Sequence, residues 1–261
     1  MSPVYDCTTP EGLAEGVAKA SAAVREGEVV VLPTDTVYGV GADAFSAEAV
    51  ASVLAAKGRG REMPPPVLVP SVRTVDGLAT SVPPWARALI AKFWPGPLTL
   101  IFEAQASLMW DLGDTNGTVA LRMPKDDVAI ALLSEVGPMA VTSANITGQP
   151  PATTVTDAAA QLGAAVTVYL DGGPTTGNEV STIVDCTGDE PVVLRAGAIS
   201  WDDIEDTVIE SRRPDDDEPQ APESASADAA QEPGQDAIEL PADPAARPGT
   251  AARPEGDTHE R

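Results

Sequence analysis

Apolar residues recur along most of this chain at the two spacings that regular secondary structure requires. Thr9, Pro10 and Glu11 supply a capping hydroxyl, a proline for the first turn and an early acid, a combination typical of a helix start. Apolar residues at positions 13, 17 and 24 then follow at helical spacing. The pattern predicts a helix that begins at residue 10 and ends at Gly27.

Between the helical stretches lie short segments that are almost continuously apolar. Residues 28–32 include three consecutive valines and predict a strand that Pro33 ends. Further strands are predicted at 98–102, 119–123, 139–142, 166–170, 182–185 and 192–195. Helices are predicted between Ser46 and Gly58, at 84–93, 126–136 and 156–162, and at 201–209 after Ser200. Strands of this kind are typical of a sheet covered on both faces, so residues 1–209 are predicted to form one α/β domain.

Residues 210–261 have a different composition, dominated by proline, alanine, aspartate, glutamate and glutamine. So few apolar residues could not offset the entropy cost of ordering the chain. We therefore predict a disordered acidic C-terminal tail. A solubilising role is favoured over that of a specific interaction arm.

Charge and composition exclude several classes of protein. The formal net charge of −24, from 16 basic and 40 acidic residues, should repel nucleic acid at long range. The two cysteines are isolated, and neither a membrane span nor a secretory signal is expected, so we expect a cytoplasmic location. The one histidine, His259, lies near the end of the sequence, which excludes a Ser-His-Asp triad, a Cys-His pair and a histidine-ligated metal within the folded part.

Three polar segments that follow apolar elements are candidates for chemistry. Residues 32–41 bring threonines, an aspartate and two glycines after a buried strand, although a plain turn explains them equally well. Residues 57–61 gather three cations between glycines and suit a polyphosphate, with a helix-end lysine and a surface loop as alternatives. Residues 139–148 end a strand in Thr-Ser-Ala-Asn, which either aims a hydroxyl and an amide into a crevice or closes a turn.

Smaller features accompany these segments. Arg122 and Arg195 each stand in a predicted apolar strand, where a lone cation is costly unless it is paired or faces a ligand. Ser181 and Thr182 place two hydroxyls at the start of another predicted strand. The stretch Trp94–Pro97 predicts a rigid turn, to which we assign no chemistry.

Taken in order, seven segments resemble the YrdC/Sua5 family, the threonylcarbamoyl-AMP synthases. The segments are PTDTVYGVG (33–41), KGRGR (57–61), WPGPLTL (94–100), TVALRMP (118–124), VTSANITG (141–148), STIVD (181–185) and VLRAG (193–197). Each is weak alone, but the seven occur in register over residues 9–200. The resemblance implies a single YrdC-like α/β domain with a twisted, mostly buried sheet, helices on both faces and a concave basic cavity.

The resemblance also implies which residues form the site. The family's KxR…SxN set, which lines the cavity, falls here on Lys57, Arg59, Ser143 and Asn145 as the catalytic group. ATP would be contacted by Lys57, Arg61, Thr118, Ser143, Pro151 and Arg195. L-threonine would be held by Thr34, Arg122 and Ser181, and by the backbone near Val141. The resemblance implies no metal ligand on the protein itself, while Mg²⁺ would accompany ATP, which is a substrate.

One segment departs from the family pattern. Many relatives continue after KxR with an asparagine and later a histidine, whereas residues 62–68 of this chain read Glu-Met-Pro-Pro-Pro-Val-Leu. Any contact that the histidine makes is therefore missing or replaced here, which affects part of the threonine pocket. Longer relatives also carry a second C-terminal domain, and the polar tail of this chain is unlike it, so the chain is similar to the short, single-domain form.

By resemblance, the chain makes threonylcarbamoyl-AMP and pyrophosphate from L-threonine, bicarbonate and ATP. The product would pass to the transferase complex that modifies the adenosine beside the anticodon of tRNA. One alternative is a YrdC-like module that binds double-stranded RNA or ribosomes without ATP chemistry. The acidic total and the scarcity of aromatic residues speak against it, and no stable nucleic-acid binding is expected. A second alternative is a carbamoyl-transfer enzyme of the kind found in hydrogenase maturation, whose acylphosphatase and zinc-finger segments are missing here.

Overall fold

The computed structural model describes residues 2–175, 177 and 179–213. The described residues all belong to one compact unit, Met1–Pro214. Nearly all of the predicted acidic tail lies outside the described residues, so its disorder stays a prediction. The final described helix ends at Ser211, two residues beyond the boundary predicted at residue 209.

Strands and helices alternate along much of the described chain. The strands are β1 (Val4–Asp6), β2 (Val30–Leu32), β3 (Gly39–Asp43), β4 (Val67–Leu68), β5 (Leu98–Glu103), β6 (Thr118–Arg122), β7 (Met139–Ser143), β8 (Val168–Asp171), β9 (Thr182–Asp185) and β10 (Val192–Arg195). The helices are α1 (Pro10–Arg25), α2 (Ala47–Lys57), α3 (Val75–Leu78), α4 (Pro84–Phe93), α5 (Asp127–Val136), α6 (Val155–Leu162) and α7 (Trp201–Ser211). Every predicted element is present, with ends shifted by at most two residues. None of the described helices combines the length and apolarity that crossing a bilayer requires.

The strands form one mixed sheet in the order β1-β8-β2-β3-β7-β4-β6-β5-β9-β10. The pairs β1–β8, β8–β2, β4–β6 and β5–β9 are parallel, and the others are antiparallel. Gly39 of β3 lies opposite Ser143 of β7. This register brings the first and third candidate segments side by side, although they are about a hundred residues apart in sequence.

The almost continuous apolar run at β2 is explained by its position in the middle of one half of the sheet. Val30 and Leu32 pack with residues of α1 and α5 on one face. Val29 and Val31 pack with residues of α2 and α6 on the other face. Helices therefore lie on both faces, as the sequence predicts.

The other half of the sheet has a helical cover on only one face. Leu98, Leu100 and Phe102 of β5 point into a core formed with α4 and α7. Thr99 and Ile101, at the alternate positions, line a cavity on the opposite face. The period-two alternation of a strand therefore decides which side chains of β5 face the core and which face the cavity.

Side-chain caps begin three of the helices. The hydroxyls of Thr9, Ser46 and Ser200 accept hydrogen bonds from backbone N–H groups three residues later, as their sequence context predicts. Helix α2 ends at Lys57, and the next residue, Gly58, has a φ of 60°, in the left-handed region that glycine adopts without a steric penalty. The cationic segment 57–61 therefore begins at the last residue of a helix.

Three short strands, β1, β3 and β4, escape prediction from the sequence. Strand β3 contains Gly39 and Gly41, and glycine is depleted in strands. Both glycines are required because β7 lies so close: a Cβ on Gly39 would lie 2.6 Å from Cγ1 of Val141, and one on Gly41 would lie 2.6 Å from the carbonyl oxygen of Ala140. Strand β4 has only two residues and forms because β6 and β7 pair with it on either side.

We expect Gly41→Ala to lower the free energy of unfolding by about 1–3 kcal/mol, because the new Cβ would overlap the backbone of β7. Gly77→Ala in α3 is the matched control, since a Cβ there meets no atom within 4 Å and alanine favours the helix. Urea unfolding followed by circular dichroism measures both variants. Equal unfolding midpoints for the two would contradict the close packing of β3 against β7.

Candidate functional site

A cavity of about 290 Å³ opens on the face of β5, β6 and β9 that carries no helix. The loop after β2, the end of β7 and the segment before β4 form its walls. Its lining consists of Thr34, Thr36, Val37, Tyr38, Gly39, Arg59, Pro64, Pro65, Pro66, Leu68, Thr99, Ile101, Leu112, Thr115, Thr118, Val119, Ala120, Arg122, Val141, Thr142, Ser143, Val180, Ile183 and Arg195. Among the described residues, this lining contains arginines, hydroxyls and apolar groups but no carboxylate.

Three arginines from distant parts of the sequence, Arg59, Arg122 and Arg195, line this cavity. Burial lowers the pKa of each guanidinium. The charges of Arg122 and Arg59 lower the pKa of Arg195 further, so both act on Arg195 as like charges. An anion with several oxygens would relieve this repulsion, which makes the cavity a candidate anion site.

Arg122 is held on all three of its nitrogens. Its Nε donates to the carbonyl oxygen of Gly96 at 3.0 Å, Nη1 donates to Oγ1 of Thr36 at 3.0 Å, and Nη2 donates to Oδ1 of Asp35 at 2.7 Å. The Trp94–Pro97 turn, to which we assign no chemistry from the sequence, contributes one of these acceptors through a backbone carbonyl. Its Gly96 carbonyl supports an arginine of the cavity because the turn lies beside the end of β6, where Gly96 N–H also bonds to Met123.

Arg195 is held by the residue that opens the neighbouring strand. Its Nε and Nη2 donate to the carbonyl oxygen of Ser181, at 3.1 and 2.7 Å, and Nη2 also donates to the Ser181 hydroxyl at 2.9 Å. That hydroxyl lies 2.8 Å from Oγ1 of Thr99. A register shift between Val193 and Arg195 makes β10 irregular at this point, and such a bulge re-aims the side chain that follows it.

Arg59 follows the end of α2 and reaches across to β7. Its Nη1 donates to Oγ1 of Thr142 at 2.9 Å. Its Nε is buried and has no partner among the described residues. Because a guanidinium has five N–H donors, Arg59 keeps several for a ligand.

Lys57 lies behind the cavity and is only 2% exposed. Its ammonium donates to the carbonyl oxygens of Ser143 and Asn145, the latter at 2.7 Å, and lies 3.3 Å from Oδ1 of Asn145. The amide nitrogen of Asn145 donates in turn to the carbonyls of Ile146 and Gln149, at 2.9 and 2.8 Å. Lys57 and Asn145 thus hold the loop that follows β7 and orient Ser143, and neither belongs to the cavity lining.

Arg61 does not line the cavity either. Its guanidinium is bound by Asp111 in two hydrogen bonds of 2.8 and 3.1 Å, and it lies 3.7 Å from Asp114. These carboxylates belong to the loop between β5 and β6, whose Leu112 and Thr115 line the cavity. In this structure Arg61 fastens that loop and does not face the space that a nucleotide would occupy.

The remaining expected residues lie in three places. Thr34, Thr118, Val141 and Ser143 line the cavity, and Ser181 stands one layer behind it through Arg195. Pro151 lies in a neighbouring cavity of about 480 Å³, which shares Val37 and Val180 with the first.

The segment that departs from the family pattern forms an apolar wall. Pro64, Pro65, Pro66 and Leu68 line the cavity, and the carbonyl oxygen of Pro66 accepts from the N–H of Val141 at 2.9 Å. Proline has no N–H group, so this wall offers shape and apolar contact to a ligand but few hydrogen bonds.

Several groups that fix the arginines are not identified from the sequence. Thr99 had a detectable signal, because it is a polar residue at one alternate position of an apolar strand. Thr142 lies in the third candidate segment, but nothing local shows that it accepts from Arg59, 83 residues away. Asp35 and Thr36 lie within the first candidate segment, and their partner Arg122 is more than 80 residues away.

The described lining has no carboxylate, cysteine or histidine that could act as base or nucleophile. Tyr38 is fully buried, burial raises the pKa of its phenol, and the hydroxyl donates to the carbonyl of Gly173 at 2.6 Å. What the arrangement can do is bind anions, hold them in fixed positions and stabilise negative charge that develops between them.

Lys57 supplies a test of the site's electrostatics. Burial, with a further contribution from the charge of Arg59, lowers its pKa from 10.5 to about 8. Between these two pH values the unfolded chain keeps the Lys57 proton while the folded chain releases it. The free energy of unfolding should therefore rise with pH through this window, and below the window it should be lower than above it. Measured relative to Lys57→Met, the rise should be up to about 3 kcal/mol. Urea unfolding of both proteins from pH 7 to 11 checks this, and a pH-independent difference would contradict it.

Comparisons with known proteins point to one family. The model of the Sua5/YciO/YrdC family, described as "telomere recombination", matches residues 22–197. A protein of Mycobacterium tuberculosis, provisionally named a threonylcarbamoyl-AMP synthase, is 54% identical over 208 residues, which cover 80% of this chain and 96% of its own. The threonylcarbamoyl-AMP synthase of Bacillus subtilis is 40% identical over 195 residues, which cover 74% of this chain and 56% of its own.

Solved structures show the same relationship. Pyrococcus abyssi Sua5 complexed with L-threonine matches with a TM-score of 0.74 at 33% identity, over 79% of this chain and 61% of the other. Escherichia coli YciO, at 23% identity and a TM-score of 0.68, shows the likeness of fold. This chain thus spans nearly the whole mycobacterial relative but only part of the Bacillus and Pyrococcus proteins. With the family pattern matched over most of its folded part, the chain belongs to the Sua5/YciO/YrdC family.

Proposed function

We propose that this chain is an L-threonylcarbamoyladenylate synthase, which converts L-threonine, bicarbonate or CO2, and ATP into threonylcarbamoyl-AMP and pyrophosphate. The observation that carries the proposal is the convergence of Arg59, Arg122 and Arg195 on one cavity whose described lining has no carboxylate. Such a cavity suits substrates that bring a polyphosphate and a carboxylate together. Relatives from a bacterium and an archaeon that carry the synthase name support the same activity.

L-threonine would bind at the end of the cavity formed by Thr34, Arg122 and Val141. Arg122 retains one N–H on each terminal nitrogen beyond its present hydrogen bonds, because a guanidinium has five donors. These two N–H groups suit the carboxylate of an amino acid. Ser181 would contribute from behind, through its contacts with Arg195 and Thr99.

The phosphates of ATP would lie between Arg59 and Arg195, with the hydroxyls of Thr118 and Ser143 nearby. Lys57 and Asn145 would act by holding the loop that carries Ser143. Pro151, in the neighbouring cavity, would contact the nucleoside part. Arg61 would reach the nucleotide only if its ion pair with Asp111 opened.

The chemistry would proceed in two steps. The amine of threonine combines with bicarbonate to give N-carboxythreonine and water. A carbamate oxygen then attacks the α-phosphorus of ATP; the new O–P bond forms as the bond to the bridging oxygen breaks, and pyrophosphate leaves with the electron pair. Because the carbamate is already an anion, this step needs positioning and cationic charge more than a general base.

Mg²⁺ would arrive bound to the phosphates of ATP. The described residues contain no group of three or more potential metal ligands, and the described cavity lining has no carboxylate, so the residues present do not fit a resident metal ion. A cytoplasmic location and transfer of the product to a tRNA threonylcarbamoyl transferase complex belong to the same proposal.

The proposed reaction predicts pyrophosphate release that depends on every substrate. Purified protein with Mg-ATP, bicarbonate and L-threonine should release pyrophosphate, and omission of either threonine or bicarbonate should abolish the release. L-serine should be a poorer substrate, because a lost methyl contact costs about 1–3 kcal/mol. Folded protein that binds ATP but releases no pyrophosphate would overturn the proposal, and a salt-dependent shift of double-stranded RNA by that protein would favour the RNA-binding alternative.

Removal of Arg59 should affect the chemical step. We expect Arg59→Ala to lower kcat for pyrophosphate release about 100-fold or more, which is the usual cost of losing a donor to developing negative charge. Arg87→Ala is the control, because Arg87 is an exposed arginine paired with Asp76 and lies outside the cavity lining. A rate within about threefold of wild type for the folded Arg59→Ala protein would contradict the assignment.

A further inference from the structure

Asp35 lies beside Arg122 but outside the cavity in which the substrates would bind. It lines a second cavity of about 450 Å³ together with Lys125 and Asp126, and it is not among the residues that line the first. The side chains of Asp35 and Arg122 are only 11% and 8% exposed. This ion pair therefore stands between the two cavities, with the arginine facing the substrates and the carboxylate facing away from them.

The three hydrogen bonds of Arg122 are unequal in kind. Gly96 and Thr36 offer neutral oxygens at 3.0 Å, whereas Asp35 offers a charged oxygen at 2.7 Å. A hydrogen bond between two ionised groups is shorter and stronger than one with a neutral acceptor. Asp35 is therefore the contact that most strongly fixes the plane of the guanidinium, and with it the direction of the two remaining N–H groups.

Asp35 is itself held in place from a third segment of the chain. The Oδ1 atom that accepts from Arg122 also accepts from the backbone N–H of Lys125 at 2.9 Å. Its Oδ2 is buried and has no partner among the described residues. Both hydrogen bonds of the carboxylate are therefore made by Oδ1. Through this atom the loop after β2 is joined to the loop before α5 and to the end of β6.

The charge of Asp35 also affects the pKa of Arg122. Burial lowers the pKa of the Arg122 guanidinium, and the Asp35 carboxylate opposes this effect. Asp35 compensates one cation without entering the cavity, so it occupies none of the space that a substrate carboxylate needs.

We propose that Asp35 is a positioning residue for the amino-acid substrate: it aims Arg122 so that the free N–H groups meet the substrate carboxylate, and in this way it selects α-amino acids with a free carboxylate. The inference rests on the proposed function for the identity of that substrate. Asp35 touches Arg122 and not the substrate, so its effect should fall on threonine and leave ATP almost untouched.

The first test compares the Michaelis constants of the two substrates. In the pyrophosphate assay, Asp35→Ala should raise the KM for L-threonine at least about tenfold while the KM for ATP changes less than about twofold, in line with loss of a hydrogen bond to a charged group. Asp35→Asn retains an oxygen that can accept from Arg122 and from the N–H of Lys125. Its KM for L-threonine should therefore lie between those of wild type and Asp35→Ala. Asp76→Ala removes the carboxylate of an exposed arginine pair and is the matched control, with no change in either constant.

The second test separates positioning of Arg122 from general loosening of the site. Calorimetric binding of L-threonine and L-threoninamide, which lacks the carboxylate, should show a preference for threonine in wild type that Asp35→Ala largely loses. In the Arg122→Ala background, Asp35→Ala should weaken threonine binding by no more than about twofold further, because the two residues act as one unit. Asp35→Asn serves for both measurements if Asp35→Ala does not fold.

The outcomes distinguish this inference from the proposed function. Wild-type protein that binds threonine but releases no pyrophosphate overturns the proposed reaction and leaves Asp35 to be judged by the binding data. Equal losses of threonine and threoninamide affinity, or additive effects of the two substitutions, overturn the positioning role while the reaction stands. Protein that binds no threonine overturns both.

Discussion

The buried ion pair between Arg122 and Asp35 joins the segments from which the cavity is built. Through these two side chains the end of β6, the loop after β2, the turn before β5 and the loop before α5 meet at one point. Leaving a buried charge without its partner costs several kcal/mol of folding free energy. The end of β6 and the loop after β2 therefore cannot separate without a large penalty. The walls of the cavity are therefore held by an interaction that also sets the direction of a ligand-binding group.

The other cations of the site are held in a different way. Arg195 and Lys57 donate to backbone carbonyls and neutral side chains, and Arg59 donates to a threonine hydroxyl. Neutral oxygens satisfy the N–H groups without cancelling their charge, so the cavity keeps its positive potential. Arg61, which is bound by carboxylates of the loop between β5 and β6, lies outside the lining. Arg122 is the one lining arginine with a carboxylate partner among the described residues, and that carboxylate, Asp35, lies outside the lining.

This local potential exists in a chain with a formal net charge of −24. At long range the acidic surface disfavours large polyanions, whereas a small anion that enters the cavity meets three guanidinium groups at short range, where screening is weak. The apolar wall at 64–68 further restricts which anions can bind, because it offers a fixed shape and few hydrogen bonds to a ligand. The result is a site suited to small anions that fit its walls.

The sequence by itself determines the class of fold and marks the three arginines that line the cavity. Caps such as Thr9 and Ser200, the helical spacing after them and the continuous apolar run at β2 are local signals, because they report on burial and on hydrogen bonds within a few residues. These signals fail for β3, whose glycines are explained only by the closeness of β7, and for β4, which exists because two strands flank it. Local propensity cannot indicate either.

The same limit applies to the site. The pattern KxR…SxN points to Lys57, Arg59, Ser143 and Asn145, yet only the folded chain shows that Arg59 and Ser143 face the cavity while Lys57 and Asn145 hold the loop behind them. Likewise, the sequence marks Arg122 as a costly cation in an apolar strand, but its partner Asp35 stands 87 residues earlier. Hydrogen bonds between such distant residues depend on how the strands are ordered in the sheet. That order is fixed by packing throughout the domain, and no single segment of the sequence encodes it.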